Sequence, residues 1–292
     1  MKTVAPSPDE ALVARLQDRL HQLARERDPY FATAGHFFVQ DYIRTQFGQW
    51  GTVERHDFTL QASGRLHHNL VLNLPGTSNH PAHRGTILVG AHYDAVPGTP
   101  GADDNASGVA VLLELARLFA EQPARRPIRL VAFDLEEYDR KGSYAYSAQV
   151  WRDREPIRLM ISLEMLGYFC TEPHSQLYPP GLRYFYPSTG DFIALVGNLT
   201  ALPDLLSFSR RFRSAGVPCQ WLPAIDGGKF VKVTRFSDHS PFWDRGYRAM
   251  MITDTAFLRN PNYHKPSDRI ETLNFNKMAS ICEGLAVGLR QL

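Results

Sequence analysis

The chain has 292 residues, 43% of them hydrophobic and 21% charged, the composition of a soluble globular protein with enough apolar material for a sizeable core, which excludes a disordered or fibrous chain. Its 32 Lys and Arg against 30 Asp and Glu leave a formal charge of +2, and with no long basic run this excludes a nucleic-acid footprint. The most apolar helix candidate, residues 108–120, is broken by Glu114 and Arg117 and is too short to span a bilayer.

The amino terminus, MKTVAPSPDEALVARLQDRL, has no continuous apolar stretch and does not read as a secretory signal. A cytoplasmic address is expected, with export after removal of a leader left open. Leu12, Val13, Leu16, Leu20 and Leu23 predict an amphipathic helix over 8–25, and Phe37, Phe38, Val39, Tyr42, Ile43 and Phe47 a second one ending near Gly48. Strands are predicted at 51–62 and 69–74, the latter closed by Pro75-Gly76. His67 and His68 read as strand-end or surface residues, not ligands.

The stretch that organises the chain is AHYDAVPGTPGADDNASG, residues 91–108. Before it stands a short β-branched run, Thr86 to Gly90, expected to be a buried strand. After it a helix begins, capped by Asn105 or Ser107 and carrying Val109, Leu112, Leu113, Ala116 and Phe119. A His-x-Asp therefore sits at a strand end and Asp103-Asp104 at the following loop-to-helix junction, where an open α/β sheet keeps its site. A histidine and several carboxylates on one loop repel one another unless a cation neutralises them, and imidazole with carboxylate suits zinc. The competing reading is that the acidic residues only cap the helix.

A turn at 123–127 precedes a strand at 128–133 that ends in Asp134-Leu135-Glu136-Glu137. A helix is expected over 143–151 and a strand over 157–163, ending in Glu164. Extended neighbours point to opposite sides, so Glu137 can hold a metal while Glu136 stays free beside it as the base that accepts a proton from an activated water. Residues 168–187, rich in Tyr, Pro and Gly, read as a long loop and candidate substrate wall, with Tyr168, Phe169, Tyr184, Phe185 and Phe230 as candidate lining aromatics. Residues 191–212 read as one or two helices interrupted near Pro203, 218–222 as a strand, Gly227-Gly228 as a turn, 249–252 as a strand and 274–289 as a helix. The alternation predicts a three-layer α/β/α sandwich, one catalytic domain over 1–292 with a helical segment at 8–48 packed on it. Cys170, Cys219 and Cys282 are odd in number and widely spaced, which argues against a disulfide framework and a cysteine zinc site. A single pairing such as Cys170 with Cys219 stays open.

The ordered motifs AHYD, PGADDNASG, AFDLEE with a later GS, SLEMLGY, SDHSPF and NYHKPSD span about residues 85–273 and resemble the co-catalytic zinc exopeptidases, the family of bacterial leucyl aminopeptidases, glutamate carboxypeptidase and animal-type glutaminyl cyclases. The resemblance implies a mixed central sheet and two zinc ions. Asp104 would bridge them, His92 and Glu164 would complete one site, and Glu137 and His264 the other. It also implies Glu136 as general base, Asp94 as the residue that orients His92, and Tyr263 as a hydrogen-bond donor to the oxyanion. Asp103 would cap or support, and Asp238, His239 and Asp268 would brace the site. Many members carry Asp where this chain has Glu164, and the longer side chain leaves a one-zinc enzyme open. The expected activity is removal of the amino-terminal residue from a peptide or peptide-like substrate. Glutaminyl cyclisation, carboxypeptidase or other amide hydrolysis, and a metal-binding protein without turnover are the alternatives. Side-chain preference and oligomeric state are not legible.

Overall fold

The structure, a computed structural model, describes residues 9–60, 64–78, 80 and 85–292. Asp9 accepts a hydrogen bond from the amide of Ala11 and starts α1 (Glu10–Leu23), whose stripe Leu12, Leu16, Leu20 and Leu23 is buried. Next come α2 (Thr33–Gly48) and the strands β1 (Val53–Thr59) and β2 (Leu66–Leu74). The central units are β3 (Thr86–His92), α3 (Gly108–Glu121), β4 (Ile128–Phe133), α4 (Lys141–Arg152) and β5 (Ile157–Glu164). Then follow β6 (Ile193–Asn198), α5 (Leu202–Ser214), β7 (Cys219–Ala224), the short α6 (Ser240–Trp243), β8 (Ala249–Thr253) and α7 (Phe275–Arg290).

The eight strands form one sheet in the order β1-β2-β4-β3-β5-β8-β6-β7. The pairs β4–β3, β3–β5 and β5–β8 are parallel, so their carboxyl ends lie along one edge. The pairs β1–β2, β2–β4 and β6–β8 are antiparallel, which makes the sheet mixed. Side-chain alternation splits the core in two: Ile87, Val89 and Ala91 pack with α1, α2, α3, α5 and α7, whereas Leu88, Val131, Phe133 and Met160 pack with α4 and α6. The result is the expected three-layer α/β/α sandwich. Among the described residues no helix is long and apolar enough to cross a membrane, and all three cysteines are free.

Two sequence expectations are corrected. Residues 191–212 are not interrupted helix: Ile193–Asn198 is a strand, and Pro203 stands in the first turn of α5. A short apolar run has no period of its own to tell strand from helix, and pairing with β7 and β8 decides it; a proline in the first turn lacks only an N–H that has no intrahelical partner. For His67 it is only the surface alternative that is corrected, since the residue stands at the end of a strand, second in β2. It is buried, and its Nδ1 lies 3.1 Å from Asp134, which His36 Nε2 approaches at 2.8 Å. His68 remains partly exposed and pairs with Asp57. Residue 8 of the first predicted helix and residues 61–62 of the first predicted strand lie outside the described residues.

One ion cluster joins α1 to α3. Glu114 is fully buried and accepts from Arg19 Nε at 2.8 Å, Arg15 Nε at 3.0 Å and Arg117 Nε at 3.1 Å. Burial pulls its carboxyl upward, but the three guanidiniums, Arg19 foremost, hold it below the usual range. Glu114→Gln leaves the buried Arg19 with a neutral partner and is expected to destabilise by about 2–4 kcal/mol in urea unfolding at neutral pH. Because the folded pKa is depressed, this stability is fully present above the unfolded value of about 4.3 and is lost as pH falls through the lower folded value. The gap between wild type and variant should therefore close on acidification below pH ~4, and a gap that persists there would refute the ionic origin.

Candidate metal centre

The parallel strands β3, β4 and β5 deliver His92, the loop 134–137 and Glu164 to one edge of the sheet, and each is fixed by a neighbour. Asp94 accepts the amides of Glu136 and Glu137 on its two oxygens, at 3.0 and 3.1 Å. Its Oδ1 also lies 3.4 Å from His92 Nδ1, and its carbonyl oxygen 3.3 Å from the same atom. One carboxylate thus couples two strand ends and leaves His92 Nε2 to face Asp104 and Glu164. Ser237 Oγ donates to Glu164 Oε2 at 2.6 Å, turning Oε1 toward His92.

Asp104 arrives on the turn between β3 and α3. Gly101 begins that turn at φ +54°, and a Cβ there would lie 2.2 Å from the Asp104 carbonyl oxygen, so only glycine fits. Asp268 accepts the amides of Asp103 and Asp104 at 2.9 and 3.1 Å. The Asn105 side chain accepts from Gly108 N and Met165 N and donates to the Leu163 carbonyl, which caps α3 and ties it to the end of β5. Arg27, 1% exposed, donates to the carbonyls of Leu23, Arg25, Tyr93, Pro100, Gly101 and Asp104.

All five sequence-predicted metal residues converge. Asp104 Oδ1 lies 3.3 Å from His92 Nε2 and Oδ2 lies 3.1 Å from His264 Nε2. His92 Nε2 is 3.5 Å from Glu164 Oε1, and His264 Nε2 is 3.3 Å from Glu137 Oε2. His92, Asp104 and Glu164 form one donor set and Asp104, Glu137 and His264 another, each within 4.8 Å, with Asp104 shared. The site is strongly negative. Burial, with repulsion from Asp104, pushes Glu137 up to about 7, and burial likewise raises Glu164 and Glu136. Against the burial that would lower it, Asp104 and Glu137 lift His264 to about 10. His92 Nε2 and Glu137 Oε1 are buried and make no hydrogen bond. Imidazole and carboxylate donors with orphaned buried atoms and excess negative charge fit a divalent cation of the zinc type.

Glu136 lines the adjoining cleft, as does Tyr263. The Tyr263 ring stacks on His264 at 3.7 Å between centroids, and burial raises its pKa, so the hydroxyl stays a hydrogen-bond donor. The cleft, about 290 Å³, is walled by Tyr178, Tyr186, Trp221, Phe236 and Phe257. The 168–187 loop therefore does supply a wall, but through Tyr178 and Tyr186; Tyr168, Phe169, Tyr184, Phe185 and Phe230 are not among the lining residues. Asp103 supports the turn, accepting from Gly167 N at 2.8 Å and Asn260 Nδ2 at 2.8 Å. Asp238 is fully buried and pushed up to about 7 by that burial. His239 bonds the Thr234 carbonyl and sits edge-on to Trp243. Sequence reasoning missed Arg27, and nothing in its local sequence marks it; Asn105, one of the two expected caps, does cap α3.

A mixed sheet that gathers two histidine–carboxylate sets at the carboxyl ends of its parallel strands defines an α/β protein with two adjoining sets of candidate metal donors. The chain belongs to Peptidase family M28, whose pattern matches residues 69–287 and so includes all five donors, Glu136 and Tyr263. Over 221 residues it is 42% identical to the uncharacterized protein YfbL of Escherichia coli (strain K12), covering 70% of this chain and 66% of that protein. It is 28% identical over 232 residues to aminopeptidase YwaD of Bacillus subtilis (strain 168), covering 78% of this chain and 44% of YwaD. The chain thus spans just under two thirds of the first relative's length and under half of the second's. The LapA aminopeptidase of Legionella pneumophila shares the fold with a TM-score of 0.70 at 17% identity, over 100% of this chain and 76% of that one.

Proposed function

We propose that the protein is a zinc-dependent aminopeptidase that removes the amino-terminal residue of peptides. The observation that carries this reading is Asp104, which offers one oxygen to each of two His–carboxylate sets while Glu136 stands on the same cleft outside both sets. Asp104 would bridge two zinc ions, with His92 and Glu164 completing one site and Glu137 and His264 the other. Two bound zinc ions supply an acidified water and a polarised scissile carbonyl. Glu136 accepts the proton of the attacking water and returns it to the departing amine. Asp94 keeps His92 in one tautomer and orientation while holding the backbone of Glu136 and Glu137. Tyr263 donates its hydroxyl proton in a hydrogen bond to the developing oxyanion. The apolar cleft receives the side chain of the residue removed. Similarity to YwaD supports the aminopeptidase reading over its alternatives.

The test measures zinc content together with amino acid release from dipeptides and aminoacyl amides. About two zinc ions per chain are expected, with turnover that a chelator abolishes and added zinc restores. One zinc with cyclisation of an amino-terminal glutamine and no amino acid released would move the protein to acyl transfer. No tightly bound metal would end both readings.

A further inference from the structure

Arg140 places a guanidinium on the wall of the cleft. It lines the cleft with Asp104, Glu136, Glu137, Asp139 and Glu164, and no other Lys or Arg stands among the described lining residues. Its backbone amide donates to the Glu136 carbonyl at 2.7 Å, so its position is tied to the same loop. Its side chain makes one hydrogen bond among the described residues, Nη1 to the carbonyl of Arg235 at 2.8 Å. Its Nε is buried without a partner, and no described carboxylate lies within ion-pairing distance.

Other arginines behave otherwise: the neighbouring Arg235 pairs with Asp244 at 2.8 Å, and Arg129, on β4, with Glu155 at 2.6 Å. A guanidinium held by a backbone carbonyl on a cleft wall, with donors left over, is built for an anion. Carboxylate matches its planar fork best.

We propose that Arg140 binds a carboxylate of the substrate, so that the cleft selects short peptides bearing a free carboxylate. The assignment rests on the peptidase reading only in taking a peptide as the ligand. The amide bond is cut as described above, and Arg140 forms no covalent bond; it binds and positions.

The test uses zinc-loaded protein in the Glu136→Gln background, which holds substrate without turning it over, and measures by calorimetry the affinities for phenylalanyl-alanine and its carboxyl-terminal amide. The free acid is expected to bind about 10- to 100-fold more tightly, the range of one charge-assisted contact. Arg140→Met should reduce that acid-to-amide ratio to about one, and Arg140→Lys should restore part of it. Phenylalanyl-aspartate amide places the carboxylate on a side chain, and tighter binding of it than of phenylalanyl-alanine amide would assign Arg140 to acidic residues instead of the chain end. Hydrolysis of N-acetyl-phenylalanyl-alanine by the wild type would sink the aminopeptidase reading and leave the Arg140 assignment supported. An acid-to-amide ratio near one in the protein with Arg140 intact, or equal weakening of both ligands by Arg140→Met, would overturn it.

Discussion

Glu136→Gln is expected to lower kcat about 10³- to 10⁴-fold, the scale of a lost general base, with zinc content unchanged. The amide keeps the size and shape of the carboxylate but cannot accept a proton. The backbone amide of Glu136 is held by Asp94 at 3.0 Å irrespective of the side chain, so the loop should stay in place. The five donors do not include Glu136, and the metal should stay as well. Glu136→Asp retains the base but withdraws it by one methylene, and it should fall between the two. Steady-state kinetics with metal analysis on the same preparations decides the matter. A Gln variant within tenfold of wild type, fully loaded, would remove Glu136 from the chemistry, whereas loss of metal would recast it as a ligand.

The largest expected loss of stability is at Arg27. Its guanidinium is fully enclosed and satisfies six carbonyls drawn from the end of α1 and from the loop between His92 and Asp104. Burial pulls its pKa down, while Asp104, Asp268, Asp94 and Glu137 draw it back up; an arginine stays charged in either case. Arg27→Met fills the volume but leaves buried carbonyls unpaired and removes the cation behind four carboxylates. A loss of about 3–5 kcal/mol is expected in urea unfolding of the zinc-loaded protein. Because the carbonyls of Tyr93 and Asp104 flank two donors, zinc retention on dialysis should fall in parallel. Arg27→Lys should rescue little, since one ammonium offers three donors where the guanidinium offers five. A Met variant within 1 kcal/mol of wild type and fully loaded would refute the clamp.

Much of the candidate site was legible because its parts are punctuation. His92 and Glu164 close strands and the 134–137 loop follows one, and short β-branched runs that stop at charged residues reveal where such ends fall. Asp104 lies between a glycine turn and a helical period. What sequence pattern could not supply was pairing. Ile193–Asn198 has the composition of either element until β7 and β8 flank it, and His67 reads equally as a strand-end or a surface residue until Asp134 is seen beside it. Which aromatics line the cleft was not legible, and Tyr178 and Tyr186 do so where none of the candidates does, because an aperiodic segment carries no signal for which side faces inward.

By itself the sequence determined the layered α/β class, the order of the strand ends and the residue types that gather at them, since hydrophobic period and turn chemistry act over neighbouring residues. Only the tertiary structure decided the strand order β4-β3-β5-β8, the sharing of Asp104 between His92 and His264, the burial of Arg27 against six carbonyls and the position of Arg140 on the cleft wall with no ion-pair partner among the described residues. Each of these depends on contacts between segments far apart in the chain, where burial and charge are set by what packs across the gap.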